Sequence, residues 1–213
     1  MIAVVDYGAG NMQSVVNGFE VLGADIAIAH EPQMLADADA IVLPGVGAFG
    51  EGMKHLLDAG FVPALNREVL EKKKPFLGIC LGLQFLGEAS EEHGVHEGLG
   101  WIKGRVVAIP RTDASIKIPH MGWDDVKVLK KDGLFAGFPQ DPICYFVHSY
   151  HFAVAQEDAN AVAGICEYGV PFVAAIEKEN IWATQFHPEK SQKAGLKVLE
   201  NFIRKVKHAG AAV

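Results

Sequence analysis

Residues 76–88 read FLGICLGLQFLGE, and within them Cys80 is bracketed by Gly78 and Gly82. Glycine inside an apolar run packs nothing and adds backbone entropy, so a pair of them around one reactive side chain implies a geometric demand. Glycine two residues before and two residues after a nucleophile is what a sharp turn from strand into helix requires, with the side chain raised into the crevice above a sheet. A thiol just before a helix N-terminus also meets unpaired N–H groups and the helix dipole, which favour thiolate. Taken alone, the motif leaves two readings open, a nucleophile or a small buried hydrophobe. Cys144 and Cys166 lack the glycine bracket and read as core residues.

A nucleophilic thiol needs a base. Among nine histidines, His30, His55, His93, His96 and His208 fall at element ends or in polar stretches, while His120, His148 and His151 sit near apolar strands. His187 differs because it ends the run IWATQF and is followed by Pro188 and Glu189. Proline favours an extended segment, in which positions two apart share a side, so Glu189 is predicted to orient the imidazole that takes the thiol proton. Acyl transfer further needs N–H donors for an oxyanion. The amide of Leu81, directly after the nucleophile, is one, and the turn PGVGAFG (44–50) is a second source. On its own, that glycine-rich stretch reads simply as a tight turn.

These residues must be held by a sheet. The first half of the chain alternates short apolar runs with amphipathic stretches, the pattern of βαβ units: strands over 2–6, 24–30, 39–45 and 75–79, with helices between them. The first helix is predicted to be capped by Asn11 and to close at Gly23, and a helix is predicted from Leu81 to Glu92. From Arg105 onward, runs such as RVVAIP, DDVKVL, CYFVHSYHFAVA, AVAGICEYG, PFVAAIE and IWATQFHP follow one another without long helices, as in an antiparallel extension. A last amphipathic helix spans about 192–208. The expected fold is one α/β domain over residues 1–213, a mostly parallel sheet flanked by helices and extended by antiparallel strands.

Composition narrows the partners. Nineteen basic and 26 acidic side chains give a net charge of −7 with no long basic block, which argues against nucleic acid or an anionic membrane. No stretch approaches the roughly 20 apolar residues of a spanning helix, and no leader-like segment opens the chain, so a cytoplasmic protein is expected. Three widely spaced cysteines suggest neither a disulfide framework nor a metal site, and the triad chemistry calls for no metal or cofactor.

LGICLGLQFL, PGVGAFG and FHPEKS resemble the motifs of the triad-type, class I glutamine amidotransferases. More narrowly, DYGAGNMQSV (6–15), GLGWIKGRV (98–106), IPHMGWDDV (118–126), YFVHSYHF (145–152) and QFHPEKSQKAGLKVLENF (185–202) resemble the branch that serves imidazole glycerol phosphate synthesis, for histidine. The resemblance implies that Cys80, His187 and Glu189 hydrolyse L-glutamine through a glutamyl thioester, with oxyanion donors at Val46, Gly47 and Leu81. It implies substrate contacts at Gln84, Glu92, Ser149 and Tyr150, and a heterodimer with a (β/α)8-barrel cyclase that receives the ammonia through a tunnel. Asn11, Met121 and Trp123 would face that cyclase; by residue chemistry Trp123 reads equally as core. Asp124 and His151 depart from the family pattern, which usually has asparagine and often a second tyrosine there. Two other readings stay open: a different amidotransferase subunit, or a fold relative that only binds or hydrolyses another substrate.

Overall fold

The computed structural model describes residues 1–8 and 11–210. Ala9 and Gly10, within the DYGAGN segment, and the last three residues lie outside it.

Three of the β-branched and aliphatic runs of the first half form strands buried on both faces, as a parallel sheet between helices demands, and the edge strand over 26–29 is mostly half-buried. In chain order they are β1 (Ile2–Val5), β2 (Ile26–Ala29), β3 (Ala40–Gly45) and β4 (Phe76–Cys80). Helices α1 (Met12–Glu20), α2 (Phe49–Asp58) and α3 (Phe61–Leu65) connect them, and α3 runs on into a π-helical segment, Asn66–Glu71. Asn11 stands at the N-cap of α1, but its side chain makes no capping bond.

The helix expected over 81–92 is only α4 (Leu81–Gln84). The carbonyls that would continue it are taken instead by the GLGWI segment. Gly98, Leu99, Gly100 and Ile102 donate to Glu88, Phe85, Gly87 and Leu86 respectively. Tertiary hydrogen bonds thus override a helical side-chain pattern.

The second half supplies β5 (Ala89–Ser90), β6 (His96–Glu97), β7 (Gly104–Ala108), β8 (His120–Asp125), β9 (Lys127–Val128), β10 (Ile143–His148), β11 (Tyr150–Val154), β12 (Val162–Tyr168), β13 (Val170–Lys178) and β14 (Ile181–Thr184). The main sheet has the order β2-β1-β3-β4-β14-β13-β12-β9. Its β2 to β14 pairings are parallel and its β13, β12 and β9 pairings antiparallel. The run CYFVHSYHFAVA is not one strand: it divides at Ser149, β10 pairing with β8 and β11 with β7. The closing helix α5 (Gln192–Gly210) buries Val198, Leu199, Phe202 and Ile203 against the sheet's second core.

Two glycines control the central turn. A Cβ on Gly82 would lie 1.9 Å from the Leu43 carbonyl oxygen, and one on Gly78 would lie 2.6 Å from that of Gly82. Both positions need glycine for close backbone approach between β3, β4 and α4. Gly82→Ala should therefore cost at least about 2 kcal/mol, the scale of core overpacking. In a domain of this size that is a loss of roughly 5 °C in melting temperature, read by circular dichroism; an unchanged melting curve would contradict the close approach.

Candidate active site

The parallel pairing of β3, β4 and β14 gathers the candidate site residues at the C-terminal ends of three adjacent strands, where open α/β sheets place their ligands. Gly45 is paired with Cys80 across β3 and β4, so the PGVGAFG turn begins beside that cysteine. Thr184 is paired with Ile79, so the segment after β14 enters next to it from the other side.

Cys80 has φ +54° and ψ −103°, a left-handed conformation costly for any residue with a Cβ. It ends β4, and Leu81 begins α4, the strand-to-helix turn expected from the glycine spacing. The thiol is almost wholly buried at the base of a cleft of about 260 Å³. The Gln185 amide lies 3.7 Å from the sulfur, and the thiol faces the Val147 carbonyl oxygen at 4.0 Å.

His187 and Glu189 are both buried, and Nδ1 of the ring lies 2.7 Å from the Glu189 carboxylate. The triplet is not extended, as the proline had suggested. Pro188–Lys190 is a single 3-10 turn, and that turn folds the carboxylate back onto the ring. The backbone is locked to β10: His187 N–H donates to Tyr145 O, while Ser191 Oγ donates to His187 O and accepts from Tyr145 N–H. Burial lowers the pKa of His187, but the hydrogen-bonding and charge of Cys80 and Glu189 outweigh it, so the ring holds its proton above the usual histidine range. Since Nδ1 faces a carboxylate, Nε2 is the ring nitrogen left for another partner.

The cleft wall contains Val46, Gly47, Leu81, Gln84, Glu92, Ser149 and Tyr150, every expected oxyanion and substrate residue. Gly47 has φ +100°, within the range that favours glycine, at the turn that follows β3 into the cleft wall. Gln84 Nε2 donates to Tyr150 O (2.9 Å) and to Gln185 Oε1 (3.1 Å), which uses both amide hydrogens. Its oxygen is thus the group left for a ligand. Glu92 accepts from Phe49 N–H at 2.7 Å, which ties the first turn of α2 to the cleft rim.

Sequence reasoning missed Pro119, Val147 and His148 in the wall, and Gln185 beside the thiol. His148 adjoins the expected Ser149, and Gln185 lies two residues before His187, so adjacency was the available signal. The other two thiols are buried in the core, and burial pushes Cys144 and Cys166 up to about 12. Met121 and Trp123 alternate onto the exposed side of β8, 62% and 45% accessible, and Trp123 packs edge-to-face on Tyr145. Trp123 is thus not core. Asn11 is also exposed.

The profile of the family described as glutamine amidotransferase class-I matches residues 3–206. The chain belongs to that family. It is 51% identical over 204 residues to the imidazole glycerol phosphate synthase subunit HisH 1 of Campylobacter jejuni subsp. jejuni serotype O:23/36, strain 81-176, covering 96% of this chain and 100% of that one. Identity to the HisH subunit of Aquifex aeolicus, strain VF5, is 48% over 203 residues, covering 95% of both chains. Among solved structures, PurLQS of Thermotoga maritima superposes with a TM-score of 0.74 at 19% identity, covering 96% of this chain and 97% of that one. The fold is therefore shared with proteins of other names.

The buried histidines of this family member give a pH dependence. Burial pushes His148 down to about 3 from an ordinary 6.5. Between those values the unfolded chain binds the proton and the folded chain does not, so acidification destabilises the fold and stability returns as pH rises. Melting temperatures measured from pH 7 to pH 4 should fall, and fall less steeply in His148→Phe. Parallel curves would show that His148 carries no such linkage.

Proposed function

We propose that this chain is the glutaminase subunit of an imidazole glycerol phosphate synthase, working in the cytoplasm and in histidine biosynthesis. The single observation that carries the reading is the buried His187–Glu189 pair set against a strained Cys80, at a cleft lined by Val46, Gly47 and Gln84. The family supplies the amide chemistry, and relatives of near-equal length bear the synthase name.

His187 takes the Cys80 proton, and the thiolate adds to the side-chain carboxamide carbon of L-glutamine. The oxygen of the tetrahedral adduct takes up negative charge, met by the N–H groups of Val46, Gly47 and Leu81. The imidazolium then gives its proton to the amide nitrogen, the C–N bond breaks, and ammonia leaves with a glutamyl thioester behind it. Water, deprotonated by His187, cleaves that thioester to glutamate and regenerates the thiol. Glu189 holds Nδ1–H throughout, so that Nε2 does the exchange. Gln84, Glu92, Ser149 and Tyr150 hold the amino-acid end of the substrate.

Ammonia passes to a (β/α)8-barrel cyclase subunit, with which the chain forms a heterodimer through the face that bears Asn11, Met121 and Trp123. The half-exposed Trp123, on the outer side of a two-stranded ribbon, suits an interface anchor. In the complex, Cys80→Ala should abolish glutamine-dependent synthesis while leaving synthesis from added ammonium within about twofold. Retained glutamine-dependent turnover in the variant would overturn the assignment.

A further inference from the structure

A second polar network runs through the protein behind the cleft, and nothing in the triad chemistry uses it. His120 Nε2 lies 2.9 Å from Asp124 Oδ2, His120 Nδ1 lies 3.1 Å from His148 Nε2, and His148 Nδ1 lies 2.9 Å from the Tyr150 carbonyl oxygen. That same carbonyl accepts from Gln84, which bonds Gln185, which reaches Cys80. His120 is nearly inaccessible and His148 is 7% exposed.

The protons in this chain can be counted. A carbonyl oxygen only accepts, so His148 Nδ1 carries hydrogen, and its Nε2 is then the acceptor of a neutral ring. His120 Nδ1 must therefore donate to it. His120 Nε2 faces a carboxylate at 2.9 Å, and one further hydrogen must lie between them, since two lone pairs at that distance repel. Two neutral imidazoles and a carboxylate hold one proton fewer than these three contacts need.

We propose that Asp124, His120 and His148 form a positioning relay holding one extra proton, shared by His120 Nε2 and Asp124, which fixes the Tyr150 carbonyl against the Gln84 amide and so shapes the glutamine pocket. The proposal rests on the glutaminase reading of the cleft. His120 is pinned from its other sides: its ring stacks on Tyr168 at 3.9 Å and on Phe146 at 5.0 Å, with Phe172 edge-on. The titratable groups around the relay are Tyr168 and Cys166 of β12, His151 of β11 and His187 beyond His148; Asp125 and Glu167 act on Cys166. Burial lowers the pKa of His120, and Asp124, its hydrogen-bond partner, opposes that effect. Burial outweighs Asp124, so His120 stays below the ordinary histidine value and the shared proton is lost as pH rises. An asparagine at 124 supplies an N–H to His120 Nε2 without a titrating group; an alanine supplies nothing.

The test uses the full chain labelled with ¹⁵N at histidine and the chain assembled with its cyclase. The His120 ring nitrogens and the KM for glutamine are measured against pH for the native protein, Asp124→Asn and Asp124→Ala. In the native protein the His120 Nε2 signal should titrate together with a rise in KM. In Asp124→Asn both should lose that pH dependence, with KM within about threefold of native. In Asp124→Ala, KM should rise roughly fivefold, the weight of one net hydrogen bond, with little change in kcat. Identical His120 titrations in the native protein and Asp124→Asn, or an unchanged KM in Asp124→Ala, would overturn the relay. Should the native complex release no glutamate, the reading of the cleft fails, and the ring-nitrogen titration still decides the proton count.

Discussion

The left-handed backbone of Cys80 is the constraint from which the rest of the site follows. A residue with a Cβ is held at φ +54° only when its surroundings over-determine the conformation, and here they do so through close backbone contact. Leu43 of β3 presses on Gly82, and Gly82 presses on Gly78, at distances that leave no room for a methyl group. The strand therefore turns directly into α4, the thiol rises to the cleft floor, and the Leu81 amide opens beside it. Parallel pairing then brings the other partners: β3 delivers the 45–47 turn and β14 delivers His187.

Electrostatics complete what the backbone arranges. Burying an imidazole beside a carboxylate carries a desolvation penalty that only good geometry repays, which accounts for the clamp of Tyr145 and Ser191 on the His187 backbone. Burial raises the two other thiols well above the usual cysteine range, and they pack as hydrophobes. Position within the fold, rather than residue type, separates the cysteine at the cleft from the two in the core.

The sheet's parallel half, the sharp turn at Cys80 and the His187–Glu189 contact were legible in the sequence because each leaves a local signature: buried strands as continuous apolar runs, the turn as spaced glycines, the buried acid as an H-P-E triplet. Long-range hydrogen bonding was not legible. The helix from Leu81 stops because residues 98–102 capture its carbonyls, and the strand-like CYFVHSYHFAVA breaks at Ser149 because its halves belong to different sheets. The contact between His187 and Glu189 was expected from extended backbone and arises from a 3-10 turn instead. His148 and Gln185 escaped notice because their importance lies in what they touch, His120 and Tyr150 for one, Gln84 and Cys80 for the other.

The proposed chemistry requires one thiol of three, Cys80, to act as a nucleophile toward a glutamine side chain. It is tested most directly by treating the assembled complex with a glutamine-analogue electrophile and mapping the adduct by peptide mass spectrometry. The account predicts a single adduct on Cys80, suppressed by excess glutamine, with Cys144 and Cys166 unmodified. Modification of either buried thiol instead, or no reaction at Cys80, would contradict it.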